Sequence, residues 1–345
     1  MRALIGISMG LLIGLSACTA PQEQDLSGVA FHVLPWRVRL HDLPPGLDAE
    51  RTQQQLQEQL DQLAASISNW QPGSEIDRFN QQQAGHWITV SPRLYHTVAE
   101  ACQVGQQAGG YDISALPLVN LWGFGPQGRR TQAPSAQQIQ QALQQVDQRM
   151  LLFDAPRHAL FKRRPLSLDL ASVGEGAAAD VLSLWLDRHG VHDYLIYVAG
   201  AVAGHGRRRD GQAWRVGIER PDGSGRPIQA IELQDACLST AGTYRRHFQQ
   251  AGHDYSHILD ARTGYPIQHA GLSVSVLMPR TSGDCTLADA WDTALLVQTP
   301  EQSLALSRRQ ELASLVIWKT TQGLVTAASP GFPPAISLLP ADATP

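Results

Sequence analysis

Between residues 53 and 67 glutamine-rich polar runs are broken by Leu56, Leu60, Leu63 and Ile67, apolar positions three or four apart. That spacing predicts an amphipathic helix with the leucines on one face and glutamines on the other. Two more helices are predicted at 92–108 and 135–147. A fourth, "GEGAAADVLSLWLDRHG", opens near Gly176 and closes at Gly190, and a fifth covers 284–297. Strands are predicted at 194–200, 213–219, 228–233, 272–279 and 312–318, between loops that carry Gly, Pro and Asp. The strands come in groups and not in strict alternation with helices, so the class is α+β, one composite domain with antiparallel sheets and packed helices. The glutamine-rich segments share no fixed period, which excludes a structural repeat. The end of the chain is proline-rich, and residues 336–345 are expected to be a loose tail.

The first residues change the picture of where this domain works. Arg2 precedes a short apolar run, Ala3 to Leu15, and then Leu15-Ser16-Ala17-Cys18. The run is too short to cross a bilayer and reads as a signal segment, residues 1–17, ending at a bacterial lipobox. Cys18 is then the lipidated first residue of a periplasmic lipoprotein whose body, 18–335, is tethered to the membrane only by that lipid. Cys102, Cys237 and Cys285 remain, enough for one disulfide but without metal-knuckle spacing. A hydrophobic content of 43% and a charged content of 17% fit a globular chain, and a formal net charge of -4 gives no general attraction to nucleic acid.

Several stretches carry candidate chemistry. On the 284–297 helix, Asp289 and Thr293 are four apart and project from one face, a pair of oxygen ligands suited to a hard cation such as Mg²⁺. His257, in "YSHILDARTGYPI", is a candidate general base. "LSTAGTYRRHF" (238–248) is a run of small hydroxyl residues, including Thr240 and Thr243, fit to contact a phosphate or ribose. "NLWGFGP" (120–126) is an aromatic, glycine-bearing loop. "SVGEGAAAD" (172–180) has the form of a turn that offers backbone N–H groups and a helix dipole to an anion, yet Glu175 sits in its middle.

Together these pieces resemble the ApbE family of FAD:protein FMN transferases. The likeness rests on seven ordered motifs: "SEIDRFN" (74–80), "LVNLWGFGP" (118–126), "LDLASVGEGAAAD" (168–180), "WRVGIERP" (214–221), "STAGTYRRHF" (239–248), "SHILDARTGYPI" (256–267) and "ADAWDTAL" (288–295). The resemblance implies an ApbE, T-fold-like architecture. It also implies Mg²⁺-dependent transfer of FMN from FAD to a Thr or Ser hydroxyl of a flavin-carrying protein in a membrane redox complex, with release of AMP. By position, Asp289, Thr293 and the backbone near Gly174 match the family's metal ligands, and His257 matches its candidate base. Trp70 stands where an aromatic residue would stack on a nucleotide ring. Asp112, Glu175, Gly200, Thr240 and Thr243 fall among the nucleotide contacts.

The chain departs from the family pattern at four places. Gly174-Glu175-Gly176 replaces Ala-Lys-Gly, so attraction toward a pyrophosphate turns to repulsion unless a metal or another cation intervenes. Gly200-Ala201-Val202 lacks the acid of Gly-Gly-acid. Ala241-Gly242-Thr243 replaces Ser-Gly-Asp, and the Met-Gly-Thr element is absent at 32–35. Two other outcomes therefore accompany the transferase: a non-catalytic flavin-binding or assembly lipoprotein on the same fold, and an FAD pyrophosphatase giving FMN and AMP.

Overall fold

The structure, a computed structural model, describes residues 23–337 apart from 131, 251 and 281–283. Cys18 and the signal segment lie outside the described residues. The first hairpin, β1 (Gln24–Ala30) and β2 (Leu34–Leu40), has no announcement in the sequence. The Val33 N–H donates to the Ala30 carbonyl at 3.1 Å, and the two residues between, Phe31 and His32, sit at φ 50° and 63°. Ala30 pairs with Leu34, so the loop is Phe31-His32-Val33. Positive φ at successive turn residues favours Asn or Gly, and a Phe-His pair therefore carries no turn signature.

Helix α1 (Ala49–Ile67) follows the leucine spacing. Asp48 caps it by accepting the Arg51 N–H at 2.9 Å, and Leu56, Leu60, Leu63 and Ile67 are buried. Each such side chain contributes about 1.5–3 kcal/mol by leaving water. After α2 (Glu75–Gln81) and the short β3 (Trp87–Thr89), α3 (Pro92–Gln107) starts behind a Ser91 cap with proline in its first turn. Next come α4 (Leu116–Leu121) and α5 (Ala136–Leu143), the latter opened by a Ser135–Gln138 capping box and ending short of the predicted 147. Strands β4 (Leu151–Asp154) and β5 (Ala159–Lys162) join β3 in a small sheet. Helix α6 (Gly174–Arg188) closes near Gly190, whose φ of 76° only glycine adopts freely.

The second half supplies most of the large sheet. Its elements are β6 (Tyr194–Val198), β7 (Ala201–His205), β8 (Trp214–Glu219), β9 (Pro227–Leu233), β10 (Ala236–Gly242), the pairs β11 (His247–Gln250) with β12 (His253–Ser256) and β13 (Leu259–Asp260) with β14 (Tyr265–Pro266), then β15 (Gly271–Pro279), α7 (Asp284–Leu296), α8 (Pro300–Arg309), β16 (Ala313–Thr320) and β17 (Gly323–Ala328). Eight strands form one antiparallel sheet in the order β1-β2-β6-β7-β10-β15-β16-β17. Side chains alternate between its two faces. Ile196, Ala203, Cys237 and Val276 join Ala178, Leu182, Ala288 and Leu295 of α6 and α7 in the main core. Leu195, Val202, Leu238 and Ile317 point the other way, under Trp214, Val216 and Ile231 of the β8–β9 hairpin. The α+β class with antiparallel sheets stands as expected.

Cys237 on β10 is bonded to Cys285 at the head of α7, and Cys102 is free and buried. Asp180 of α6 lies beside that cystine and caps α7, accepting the N–H groups of Cys285 (3.1 Å) and Thr286 (2.8 Å) and the Thr286 hydroxyl (2.6 Å). Near the C-terminus, Ile336, the first residue of the expected tail, pairs with β9, its N–H donating to the Ala230 carbonyl at 2.8 Å. Among the described residues no helix is long and apolar enough to cross a membrane.

Candidate active site

Helices α6 and α7 cross at Gly176. A Cβ there would lie 2.0 Å from the Cys285 carbonyl oxygen and 2.8 Å from the Asp289 Cβ, so only glycine admits this approach. The closeness sets the chemistry of the crossing. Asp289 Oδ2 accepts the Gly176 N–H at 2.8 Å, and Oδ1 accepts the Ser239 hydroxyl of β10 at 3.2 Å. Val173, at the N-cap of α6, provides no side-chain cap, and Asp289 supplies one from the neighbouring helix. The turn that seemed built to hold a phosphate directly thus gives an N–H to the protein's own carboxylate.

One turn along α7, Asp292 is almost fully buried at 1% exposure. Its Oδ1 accepts the Thr293 hydroxyl at 3.2 Å, while Oδ2 has no hydrogen-bond partner. Burial pushes the carboxyls of Asp289 and Asp292 well above the usual range, and neighbouring charge adds to it, from Glu175 on Asp289 and from Asp289 on Asp292. An orphaned buried carboxylate oxygen is costly unless something positive meets it. The donor set here is entirely oxygen, two carboxylates and a hydroxyl, which fits a hard divalent cation such as Mg²⁺. Asp292 was not singled out in the sequence, although its i, i+3 relation to Asp289 puts the two on one helical face.

These groups open into a cleft of about 1320 Å³ between the large sheet, the β8–β9 hairpin and the loops after α4 and β10. Glu175, on the first turn of α6, lines it and accepts the Gly200 N–H at 2.6 Å. Burial raises its carboxyl pKa, opposed by that hydrogen bond and by the charge of Arg245. Thr240 lines the cleft too, its hydroxyl sharing a 2.8 Å hydrogen bond with that of Ser275.

His257 lines the same cleft, on a wall it shares with Phe124 and Arg246. Its Nδ1 is 3.1 Å from the Arg246 carbonyl, an acceptor only, so Nδ1 carries the proton and Nε2 keeps a free lone pair. Burial, and then the Arg246 charge, push the ring down to about 4, which keeps it neutral near pH 7. Trp70 is half exposed on this wall, with the Arg246 guanidinium 5.6 Å from its ring centroid.

Three expected contacts differ from this picture. Asp112 lines the cleft, but Oδ1 accepts the Ser114 N–H (2.8 Å) and hydroxyl (2.6 Å) and Oδ2 the Gln148 N–H (3.0 Å), so its oxygens brace the loop. Thr243 does not line the cleft; its hydroxyl donates to the Leu272 carbonyl at 3.4 Å. Gly174, buried as the first residue of α6, is not among the lining residues either. In exchange the cleft wall includes Arg245 and Arg246, whose chemistry the sequence motif concealed. Their signal was the Tyr-Arg-Arg that follows the hydroxyl run.

Known proteins resemble this chain in sequence and in fold. Residues 33–316 match the model of the ApbE family. The FAD:protein FMN transferase of Escherichia coli (strain K12) is 34% identical over 305 residues, covering 86% of this chain and 85% of that protein. That of Vibrio cholerae is 32% identical over 335 residues, covering 96% and 98%. Among solved structures, the flavin transferase ApbE from Vibrio cholerae superposes with a TM-score of 0.82 at 30% identity, over 90% of this chain and 98% of its own. The apo form of the Pseudomonas stutzeri flavinyl transferase ApbE gives 0.80 at 32% identity, over 90% and 95%. The chain belongs to the ApbE family and is a flavin transferase with FAD as its substrate.

Proposed function

We propose that the chain moves FMN from FAD to a Thr or Ser hydroxyl of an acceptor protein in a membrane redox complex, releasing AMP, with Mg²⁺ serving the step. The observation that carries this reading is the partnerless buried Oδ2 of Asp292, a residue that lines, with Asp289 and Thr293 of the same helix, the cleft that holds His257. Asp289, Asp292 and Thr293 would hold the cation, which when bound offsets charge developing on the attacked phosphate. His257 Nε2 takes the proton of the acceptor hydroxyl. The hydroxyl oxygen then bonds to the FMN phosphorus, the anhydride bond to the adenylate phosphate breaks, and AMP leaves with that bridging oxygen. Trp70 stacks on a ring of the nucleotide and excludes water from one side.

On the same reading the chain is a lipoprotein, anchored through Cys18 and working on the periplasmic side of a bacterial membrane. The Cys237–Cys285 disulfide supports an oxidising compartment. The test is incubation of the purified protein with FAD, Mg²⁺ and candidate acceptors, read as a fluorescent flavinylated band and as AMP. Neither signal across several acceptors would defeat the proposal. AMP and FMN formed without any acceptor would assign the hydroxyl's role to water.

A further inference from the structure

The loop between β10 and β11 sets two adjacent arginines in the cleft wall, and their surroundings differ. Arg246 is committed to the wall of the base: it stands over Trp70, donates from Nη2 to the Phe124 carbonyl at 3.0 Å and carries His257 on its own carbonyl. Arg245 reaches the other way. It pairs with Glu219 of β8 and lies 5.4 Å from the Tyr244 ring centroid, and its charge acts on Glu175 at the head of α6. It therefore lies at the β8 side of the cleft that Glu175 also lines, with 64% of its side chain still exposed.

A dinucleotide entering here brings a pyrophosphate toward Glu175, Asp289 and Asp292. Among the described residues that line the cleft there is no lysine, and Arg245 is the cation whose charge reaches Glu175. Its planar fork of N–H donors matches phosphate oxygens and serves two partners at once. The Glu219 side chain is partly exposed at the end of β8 and that of Arg245 is mostly exposed, and an ion pair reached by solvent from one side is weak enough to exchange.

We propose, on the FAD reading above, that Arg245 is the pyrophosphate-binding residue of the cleft. Arg245 faces the cleft that Glu175 also lines, and phosphate oxygens take the place of the Glu219 carboxylate when the nucleotide binds. The acid at position 175 is then no simple repulsion: the cation that answers it comes from a different part of the chain.

The test is calorimetric binding of ADP in EDTA, a probe with the pyrophosphate but neither flavin nor metal. Arg245→Met keeps the length of the stem and removes the charge. It should weaken ADP about 10- to 100-fold, the range for losing a charge-assisted contact, and leave the thermal midpoint unchanged. Arg245→Lys should recover part of the loss, as a point charge without the fork. The affinity of the unaltered protein should fall more steeply with salt than that of the Met variant. ADP binding by Arg245→Met as tight as in the unaltered protein overturns the proposal, and so does an equal loss in Arg208→Met, a second arginine of the cleft. Binding of FAD with Mg²⁺ to the unaltered protein tests the underlying reading separately.

Discussion

Severing the bridge between Cys237 and Cys285 should destabilise the fold by about 4 kcal/mol. The two cysteines are 48 residues apart in sequence, and closing a loop of that size removes unfolded-state entropy worth about 4 kcal/mol at 25 °C. The bridge also joins two elements that meet at the site. β10 supplies Ser239, which donates to Asp289, and α7 supplies Asp289, Asp292 and Thr293. Reduction leaves the Asp180 cap in place, so α7 should still form, but it is no longer tied at its first turn to the strand. Urea unfolding with and without reductant measures the effect, and the double variant Cys237→Ser/Cys285→Ser should lose the dependence on reductant. Cys102→Ser, at a buried free thiol, should keep it. A reductant effect below about 1 kcal/mol, or one abolished by Cys102→Ser, would refute the reasoning.

Other changes follow from the same geometry. Gly176→Ala forces a methyl into the Cys285 carbonyl and should cost at least about 1–3 kcal/mol in urea unfolding, whereas Gly174→Ala meets nothing closer than Phe31 at 3.9 Å and should be neutral or slightly stabilising. Burial, with help from Asp180 and Asp284, raises the Glu100 carboxyl to about 7. Its folded pKa lies above the unfolded one, so its contribution is intact near pH 4 and lost as pH rises through 7. Glu100→Gln should then stabilise the protein by roughly 2 kcal/mol at pH 8, with little change near pH 4, and an equal effect at both would reject the assignment. His257→Asn should lower turnover at least about 100-fold with little change in FAD affinity; a matched fall in affinity would mean the ring binds substrate instead of moving a proton.

Much of the helical framework was legible because its signals are local. Leu56, Leu60, Leu63 and Ile67 repeat at helical spacing, and Ser91-Pro92 marks a start that needs nothing from elsewhere. The β1–β2 hairpin was not legible, since Phe31 and His32 adopt left-handed angles without glycine. β7 was missed for another reason. Its small residues, Ala201 to Gly204, are buried whichever way they point, which erases the period-two contrast that marks a half-exposed strand. For the site, Asp289, Thr293 and His257 stood out by type and spacing. Asp292 did not, because its importance lies in an oxygen left without a partner, and partners are a property of the packed state.

The turn at Gly174–Gly176 shows why pattern and structure part company there. A helix N-terminus beside a glycine-rich turn ordinarily attracts an external anion. Here the anion is internal: Asp289 takes the Gly176 N–H, and Glu175 takes the Gly200 N–H. The helix end therefore holds the Asp289 carboxylate and the turn between β6 and β7 holds that of Glu175, and a phosphate approaching them needs positive charge between. Two sources fit that need, a divalent cation at Asp289, Asp292 and Thr293 and the guanidinium of Arg245, and they should act together. Mg²⁺ should weaken the dependence of FAD binding on Arg245, because each cation partly screens the same carboxylates. Comparing FAD affinity in Arg245→Met with and without Mg²⁺ measures that coupling. Equal losses in both conditions would show that arginine and metal serve separate parts of the nucleotide.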